Sequence, residues 1–494
     1  MPHESEIRTE PDAIEDASLG GVATGAWVLA LVICTFFALS VRLFNIETAS
    51  FFNDELYSVQ TAADFEGTNL SKRLGYVPTR IALELANVDL DALDVTRPET
   101  WMDAGITERA LRLPHAVIGA LTIPLLMLAG KRVLGANGSV VFGLLLAIAT
   151  WHVYWSQGAR FYIVQFLFFN LALLLWIGSA RERRPIGYTL AMLCAFLGFW
   201  SQPHAGLIFV IMGLDWLWSY VRKDPIRLAW WQWMVGAISA GGCAALIGID
   251  LTQRTEQWSQ FIGQDRWIKP QQMVLGVVYW VWPPAAAFAG LAGLWLWAKR
   301  PRVGVPLVLA AALPVALFTV MAAFAFIGTR YAFICLGPIL AIVAVGLVRV
   351  CAEIQSRAGA LLALAPAAMV VIGQLLATAI YFRSGGNFHV PMRDAIQYID
   401  AQNVEGLPVY AHEDEIVRYY AQTGEVVFLP RTVDEIAAIR EPAWFIFQVS
   451  HAGTGDNRAL VDGMELERRF ALMQVHSSQA IDVYRYTPPG VERP

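Results

Sequence analysis

Apolar stretches long enough to cross a bilayer recur along this chain, and they leave it few ways to fold. A helix spanning the hydrocarbon core needs ~20 mostly apolar residues, since every backbone N–H and C=O there must be paired within the protein. Eleven such stretches occur, at 23–44, 112–130, 138–156, 160–179, 186–201, 204–221, 229–249, 273–298, 303–327, 330–349 and 359–382. Apolar residues make up 56% of the 494 and charged residues 16%, whereas soluble domains run to about half and about a quarter. The expected fold is therefore mainly α, a polytopic membrane helical bundle. The fifth and sixth stretches are parted only by Ser201-Gln202-Pro203-His204 and read as short or tilted helices meeting at a break.

Sidedness follows from the basic residues, which gather in cytoplasmic connections. Lys131-Arg132, Arg181/Arg183/Arg184, Arg222/Lys223/Arg227, Lys299/Arg300/Arg302 and Arg349/Arg357 occupy every second connection. This puts the N-terminus inside and the C-terminus outside, at the inner (plasma) membrane of the cell. Residues 1–22 are acidic and lack a basic segment or a small-residue cleavage site, so they are expected to be a disordered cytoplasmic tail before a retained anchor. The membrane module covers 23–382 and carries a long extracytoplasmic first loop, 45–111. In that loop Leu56–Phe65 and Pro78–Val88 have the apolar spacing of helices lying along the membrane surface.

From 383 to 494 the composition changes. Met392–Ala401 reads as an amphipathic helix, and Pro408–Ala411, Val426–Leu429, Trp444–Val449, Leu472–His476 and Ile481–Tyr486 as strands. A small extracytoplasmic α/β domain is expected. The formal net charge of −5, with no continuous basic stripe, argues against a nucleic-acid partner. Cys34, Cys194, Cys243, Cys335 and Cys351 all lie in or beside apolar stretches, where packing is the expected role and no disulfide or zinc spacing can be drawn.

Chemistry concentrates on the outer side. Asp54-Glu55, flanked by Phe51, Phe52 and Tyr57 just past the first span, is either a solvated loop pair or a carboxylate site at headgroup level able to accept a proton from a hydroxyl. The turn Tyr154–Tyr162, with Gln157, Arg160 and Tyr162, is either an aromatic belt with a snorkelling arginine or a phosphate clamp built on the planar guanidinium fork. Arg330-Tyr331 repeats the arrangement and Arg112 is a third outward cation, so together they look like a site for an anionic lipid-linked donor. His204 is either a satisfied interfacial residue or a substrate ligand or proton relay. His115 and His152 read as packing residues. Trp258, Gln260, Asp265 and Trp267 are of the kind that line sugar sites.

The order of these motifs resembles that of the GT-C membrane glycosyltransferases. Asp54-Glu55 follows span one, Arg112-Leu113-Pro114 opens span two, Lys-Arg-Val-Leu-Gly follows it (131–135), the Tyr154–Tyr162 turn comes next, and Arg330-Tyr331 opens a late span. The branch most similar comprises bacterial relatives of the protein O-mannosyltransferases and of the enzyme that adds aminoarabinose to lipid A (glycosyltransferase family 39-like). The resemblance, over about 25–350, implies a polyprenyl-phosphate sugar donor, an outward site under the first loop and inversion at the anomeric carbon. It makes Asp54 the general base, Glu55 its support, and the arginines neutralisers of the departing phosphate. The acceptor would be a lipid, glycan or protein hydroxyl. The chain departs from the pattern at Gly158, where Glu is frequent, and at Gln165, where the mannosyltransferase-like branch has Asp. A divalent metal is therefore not favoured.

Two other classes compete with this reading. A transporter or flippase would carry ionisable residues in the middle of spans, whereas Asp215 and Asp250 sit toward span ends. A catalytically degenerate scaffold of an envelope-polysaccharide complex would explain Gly158 and Gln165.

Overall fold

The computed structural model describes residues 23–253, 269–324, 327–383, 391–412, 414–430, 432–448, 460–461, 463–470 and 480–490. Expectations for residues 1–22, for Trp258, Gln260, Asp265 and Trp267, and for a strand at Leu472–His476 lie outside the described residues.

Eight described helices are long and apolar enough to cross a membrane, nine if one bent pair counts as a span. The membrane bundle is formed by α1 (Thr24–Leu43), α4 (Glu108–Ile148), α5 (Thr150–Ser156), α6 (Tyr162–Ser179), α7 (Pro185–Ser201), α8 (Leu207–Val221) and α9 (Trp230–Gln253), followed by α10 (Pro270–Val281), α11 (Pro283–Lys299), α12 (Pro301–Met321), α13 (Leu336–Ala358) and α14 (Ala365–Arg383). The first loop adds α2 (Asn53–Ala63) and α3 (Arg73–Leu85).

The eleven apolar stretches map onto these helices once α4 is divided and the 17-residue α7 is counted. α4 has 41 residues, about 60 Å of helix and twice a hydrocarbon core. It breaks at Gly135, where φ is 76°, a conformation glycine adopts without the clash a Cβ brings. One stretch is not a continuous helix: 273–298 divides into α10 and α11. α10 and α11 meet at 98°, because Pro283 and Pro284 remove backbone donors and Pro283 disfavours helical geometry at the residue before it. Trp282 takes a φ of 76° there, and its indole lies where a Cβ on Gly373 would stand, 2.2 Å from Cη2.

α13 is the most enclosed of the spanning helices. Arg42, at the end of α1, is fully buried and donates to the carbonyls of Ala147 (3.0 Å) and Leu146 (3.2 Å) and to His152 Nδ1 (2.7 Å). It thereby caps the C-terminal end of α4, which carries partial negative charge.

The tail forms a five-stranded sheet of order β2-β1-β3-β5-β4: β1 (Val409–Ala411), β2 (Val426–Phe428), β3 (Ala443–Gln448), β4 (Glu465–Phe470) and β5 (Ile481–Tyr486). β1 runs parallel to β2 and β3, whereas β5 is antiparallel to β3 and β4. α15 (Met392–Gln402) and α16 (Asp414–Tyr420) cover one face. β3 is buried on both sides: Trp444 and Ile446 join the core shared with Ile396 and Val417, and Phe445 and Phe447 join the other. That first core continues into the loop through Phe51, Leu56, Val59, Leu83, Trp101 and Ile106, so loop and tail pack as one unit. Tyr420 Oη accepts from Phe51 N at 2.8 Å, Tyr419 Oη donates to Ile106 O at 2.7 Å, and Arg393 pairs with Glu108.

Candidate active site

Asp54 and Glu55 open α2, where carboxylates in the first turn suit the positive end of the helix. Adjacent helical positions point about 100° apart, and the two acids reach different surroundings.

Glu55 points inward and is fully buried. Arg112 grips it with both ends of its fork, Nε to Oε1 at 2.8 Å and Nη2 to Oε2 at 2.7 Å. Ala159 N donates to Oε1 at 2.8 Å. The other three Arg112 N–H groups go to the carbonyls of Ile46 (3.0 Å), Ala49 (2.8 Å) and Ser50 (3.0 Å). All five donors of a guanidinium are thus occupied. Arg112 has no N–H left for a phosphate, contrary to the expectation that it binds one.

Asp54 points to the partly open side, 19% exposed. Arg330 Nη1 donates to its Oδ2, and Arg160 Nη2 stands 3.9 Å from the same oxygen. Arg160 also donates to Asp54 O at 2.6 Å and Ser58 Oγ at 3.0 Å. Burial lowers the pKa of the Arg160 guanidinium, but the Asp54 carboxylate together with the phenols of Tyr76, Tyr162 and Tyr331 more than offsets this and the net shift is upward, so it stays charged. Tyr76 of α3 hydrogen-bonds Arg160, and burial raises its phenol pKa.

Behind this pair stands an aromatic wall. Tyr162 packs against Trp155 at 4.1 Å and edge-on to Tyr331 at 6.5 Å. His204 sits edge-on to Tyr331 (5.4 Å) and Phe318 (5.5 Å). Gln157 is turned away from the site: its Nε2 donates to Arg42 O (3.0 Å) and Phe44 O (2.8 Å), and Tyr381 Oη donates to its Oε1 at 3.0 Å. It ties the turn to α1 and α14.

The structure therefore brings Asp54, Arg160 and Arg330 together beside Tyr162, Tyr331 and His204, and sets Glu55, Arg112 and Gln157 apart as internal braces. Sequence reasoning missed Tyr76 and Ser58. The i, i+4 spacing of Ser58 from Asp54 was the available signal for the second, and nothing local marked the first. Several polar atoms on the surrounding elements are buried without a protein partner: Asn53 Oδ1, Arg160 Nε, Gln202 Oε1 and His204 Nε2, and both side-chain polar atoms of Gln165. Unpaired groups at this density mark a place where something else supplies the hydrogen bonds.

No protein-family model and no curated protein matches the chain. Solved structures do. ArnT from Cupriavidus metallidurans in the apo state aligns with a TM-score of 0.58 at 14% identity, covering 93% of this chain and 98% of that one. The same protein bound to undecaprenyl phosphate gives 0.57 at 14%, covering 94% and 98%. The chain has the GT-C fold. The Archaeoglobus fulgidus oligosaccharyltransferase complexed with zinc and sulfate shares it at 0.51 and 13%, over 88% of this chain and 71% of that one.

On this GT-C scaffold the residues do not fit a divalent cation. Among the described residues no three His, Cys, Asp or Glu side chains converge. Asp54 faces two guanidiniums, Glu55 is committed to Arg112, and Gly158 and Gln165 supply no second acid. A Cβ on Gly158 would meet only Tyr154 O at 3.7 Å and Trp155 Cε3 at 4.0 Å, so packing does not require glycine there.

Proposed function

We propose that the protein is an inverting membrane glycosyltransferase. It moves a sugar from a polyprenyl-phosphate donor to an acceptor hydroxyl, with Asp54 as general base on the outer face. The observation that carries this reading is the Asp54–Arg160–Arg330 cluster, one carboxylate flanked by two guanidiniums at the open end of a GT-C bundle. The outward assignment rests on the basic residues concentrated at the opposite ends of the helices.

In the proposed step the phosphate of the donor takes over the guanidiniums, which releases the Asp54 carboxylate to the acceptor. Asp54 accepts the hydroxyl proton, the acceptor oxygen bonds to the anomeric carbon from the face opposite the phosphate, and the carbon–oxygen bond to phosphate breaks. Arg160 and Arg330 stabilise the charge that collects on the departing polyprenyl phosphate, the electrostatic part of the catalysis. Tyr162, Tyr331 and His204 wall the site and exclude water.

An apolar groove of about 640 Å³, lined by Val277, Val281, Gly290, Gly293, Val308 and Val315 among others, suits the polyprenyl tail. Gly276, on the same α10, lies against Thr329, one residue from Arg330, so α10 borders both the groove and the proposed phosphate site.

Undecaprenyl phosphate binding to the purified protein in nanodiscs tests the donor half. Arg160→Ala and Arg330→Ala should each weaken it at least tenfold, since each removes a charge-assisted contact worth ~1.5–3 kcal/mol. Wild-type affinity in both variants would sink the phosphate site.

A further inference from the structure

The proposed chemistry leaves unassigned a cavity of about 530 Å³ between α2 and α16, where the first loop meets the tail domain. It is of a size typical of ligand sites. Asp54, Tyr57 and Thr61 fall at spacings of three and four along α2, one face of the helix, and Asp64 follows at its C-terminal cap. That face starts at the proposed base and runs about 15 Å to Thr61 and Asp64 in the cavity wall. Tyr76 lines the cavity as well, and through its hydrogen bond to Arg160 it connects the wall with the Asp54 cluster.

The lining is polar and incompletely satisfied. Asn69 Oδ1, Glu415 Oε2 and Arg418 Nε are buried with no protein partner, while Gln60 reaches across to hydrogen-bond Glu415. Buried acceptors and donors left unpaired in this way are costly unless a ligand or water meets them. Three carboxylates (Asp64, Asp414 and Glu415) outnumber the cations Lys72 and Arg418, and Arg418 is already paired with Asp414 at 2.9 Å. Such a surface accepts hydrogen bonds from hydroxyls and repels phosphate.

We propose that this cavity is the acceptor site and that it takes a neutral, hydroxyl-rich saccharide, held by the tail domain so that one hydroxyl lies at Asp54. The inference rests on the glycosyltransferase reading and names its acceptor class. The tail domain then has a binding role, supplying Glu415 and Arg418 to one wall of the site.

The test is titration of the full-length protein in nanodiscs with neutral trisaccharides (mannotriose, maltotriose and chitotriose), read by saturation-transfer NMR. Wild type should show saturable binding to at least one. Glu415→Ala and Thr61→Trp, the second filling the cavity from α2, should weaken it at least tenfold. Undecaprenyl phosphate binding on the same preparations reports whether each variant is folded. Absence of binding by all three sugars, capture of phosphorylated-lipid vesicles in their place, or equal sugar affinity in both folded variants would overturn the proposal. Loss of undecaprenyl phosphate binding in wild type itself would instead remove the donor reading beneath it.

Discussion

Glu55→Gln separates a brace from a catalyst at the most conspicuous acidic pair of the chain. Glu55 and Arg112 are 0% and 1% exposed, joined by two short bonds, with Arg112 also holding three loop carbonyls. Removing one member of a buried ion pair leaves an uncompensated charge and costs ~3–5 kcal/mol. In a cooperative unit of roughly 150–250 residues, about the size of loop plus tail, that lowers Tm by roughly 6–20 °C. Arg112→Met should cost more, because it strands the Glu55 carboxylate and also the carbonyls of Ile46, Ala49 and Ser50, at ~1–3 kcal/mol each. Combining the two removes the stranded carboxylate, so Glu55→Gln/Arg112→Met should be no less stable than Arg112→Met alone. The coupling energy of the cycle should then be at least the ~3–5 kcal/mol cost of Glu55→Gln alone. Differential scanning fluorimetry in detergent, with donor binding measured alongside, reads all four proteins. A Glu55→Gln protein that melts like wild type while losing turnover would refute the structural assignment and return Glu55 to the chemistry.

Arg42→Met should destabilise by ~2–4 kcal/mol, since it uncaps the carbonyls of Leu146 and Ala147; an unchanged Tm would contradict the cap. Gly158→Ala should melt like wild type, because an added Cβ would meet only Tyr154 O at 3.7 Å and Trp155 Cε3 at 4.0 Å, and a large drop in Tm would show a constraint on that turn. Burial raises the pKa of Glu415 above its ordinary 4.5. A raised carboxyl favours folding below that value, and the contribution is lost as pH rises through the folded value. Glu415→Gln should therefore raise Tm more at pH 7 than at pH 4, and an equal shift at both would remove the effect.

Hydropathy carried most of the membrane architecture, because a spanning helix must be apolar along its whole length. It did not carry the break at Trp282, where an apolar run continues through a right-angled turn; Pro283-Pro284 was the only local sign. In the tail, β1, β2, β3 and β5 stood out as β-branched and aromatic runs. β4 did not: Glu-Leu-Glu-Arg-Arg-Phe lies at the sheet edge and is exposed over most of its length, so no hydrophobic pattern was required of it. Sidedness grouped three outward arginines but had no means of ranking them. Arg112 and Arg160 look alike in sequence, and only the fold shows one saturated by Glu55 and loop carbonyls and the other turned to Asp54. The same holds for Asp54 and Glu55, whose roles divide by the 100° between neighbouring helix positions. Tyr76 and the cavity under α16 were invisible, since both arise where segments far apart in sequence meet.

In the proposed reaction Asp54 takes a proton from an acceptor during sugar transfer from a polyprenyl phosphate. Single-turnover transfer of radiolabelled sugar from a panel of undecaprenyl-phosphate sugars, comparing wild type with Asp54→Asn, tests it most directly. Wild type should transfer sugar, and Asp54→Asn, at retained donor binding, should do so at a rate lower by at least ~10²-fold, the lower end for general-base catalysis. Transfer by Asp54→Asn at the wild-type rate would contradict it.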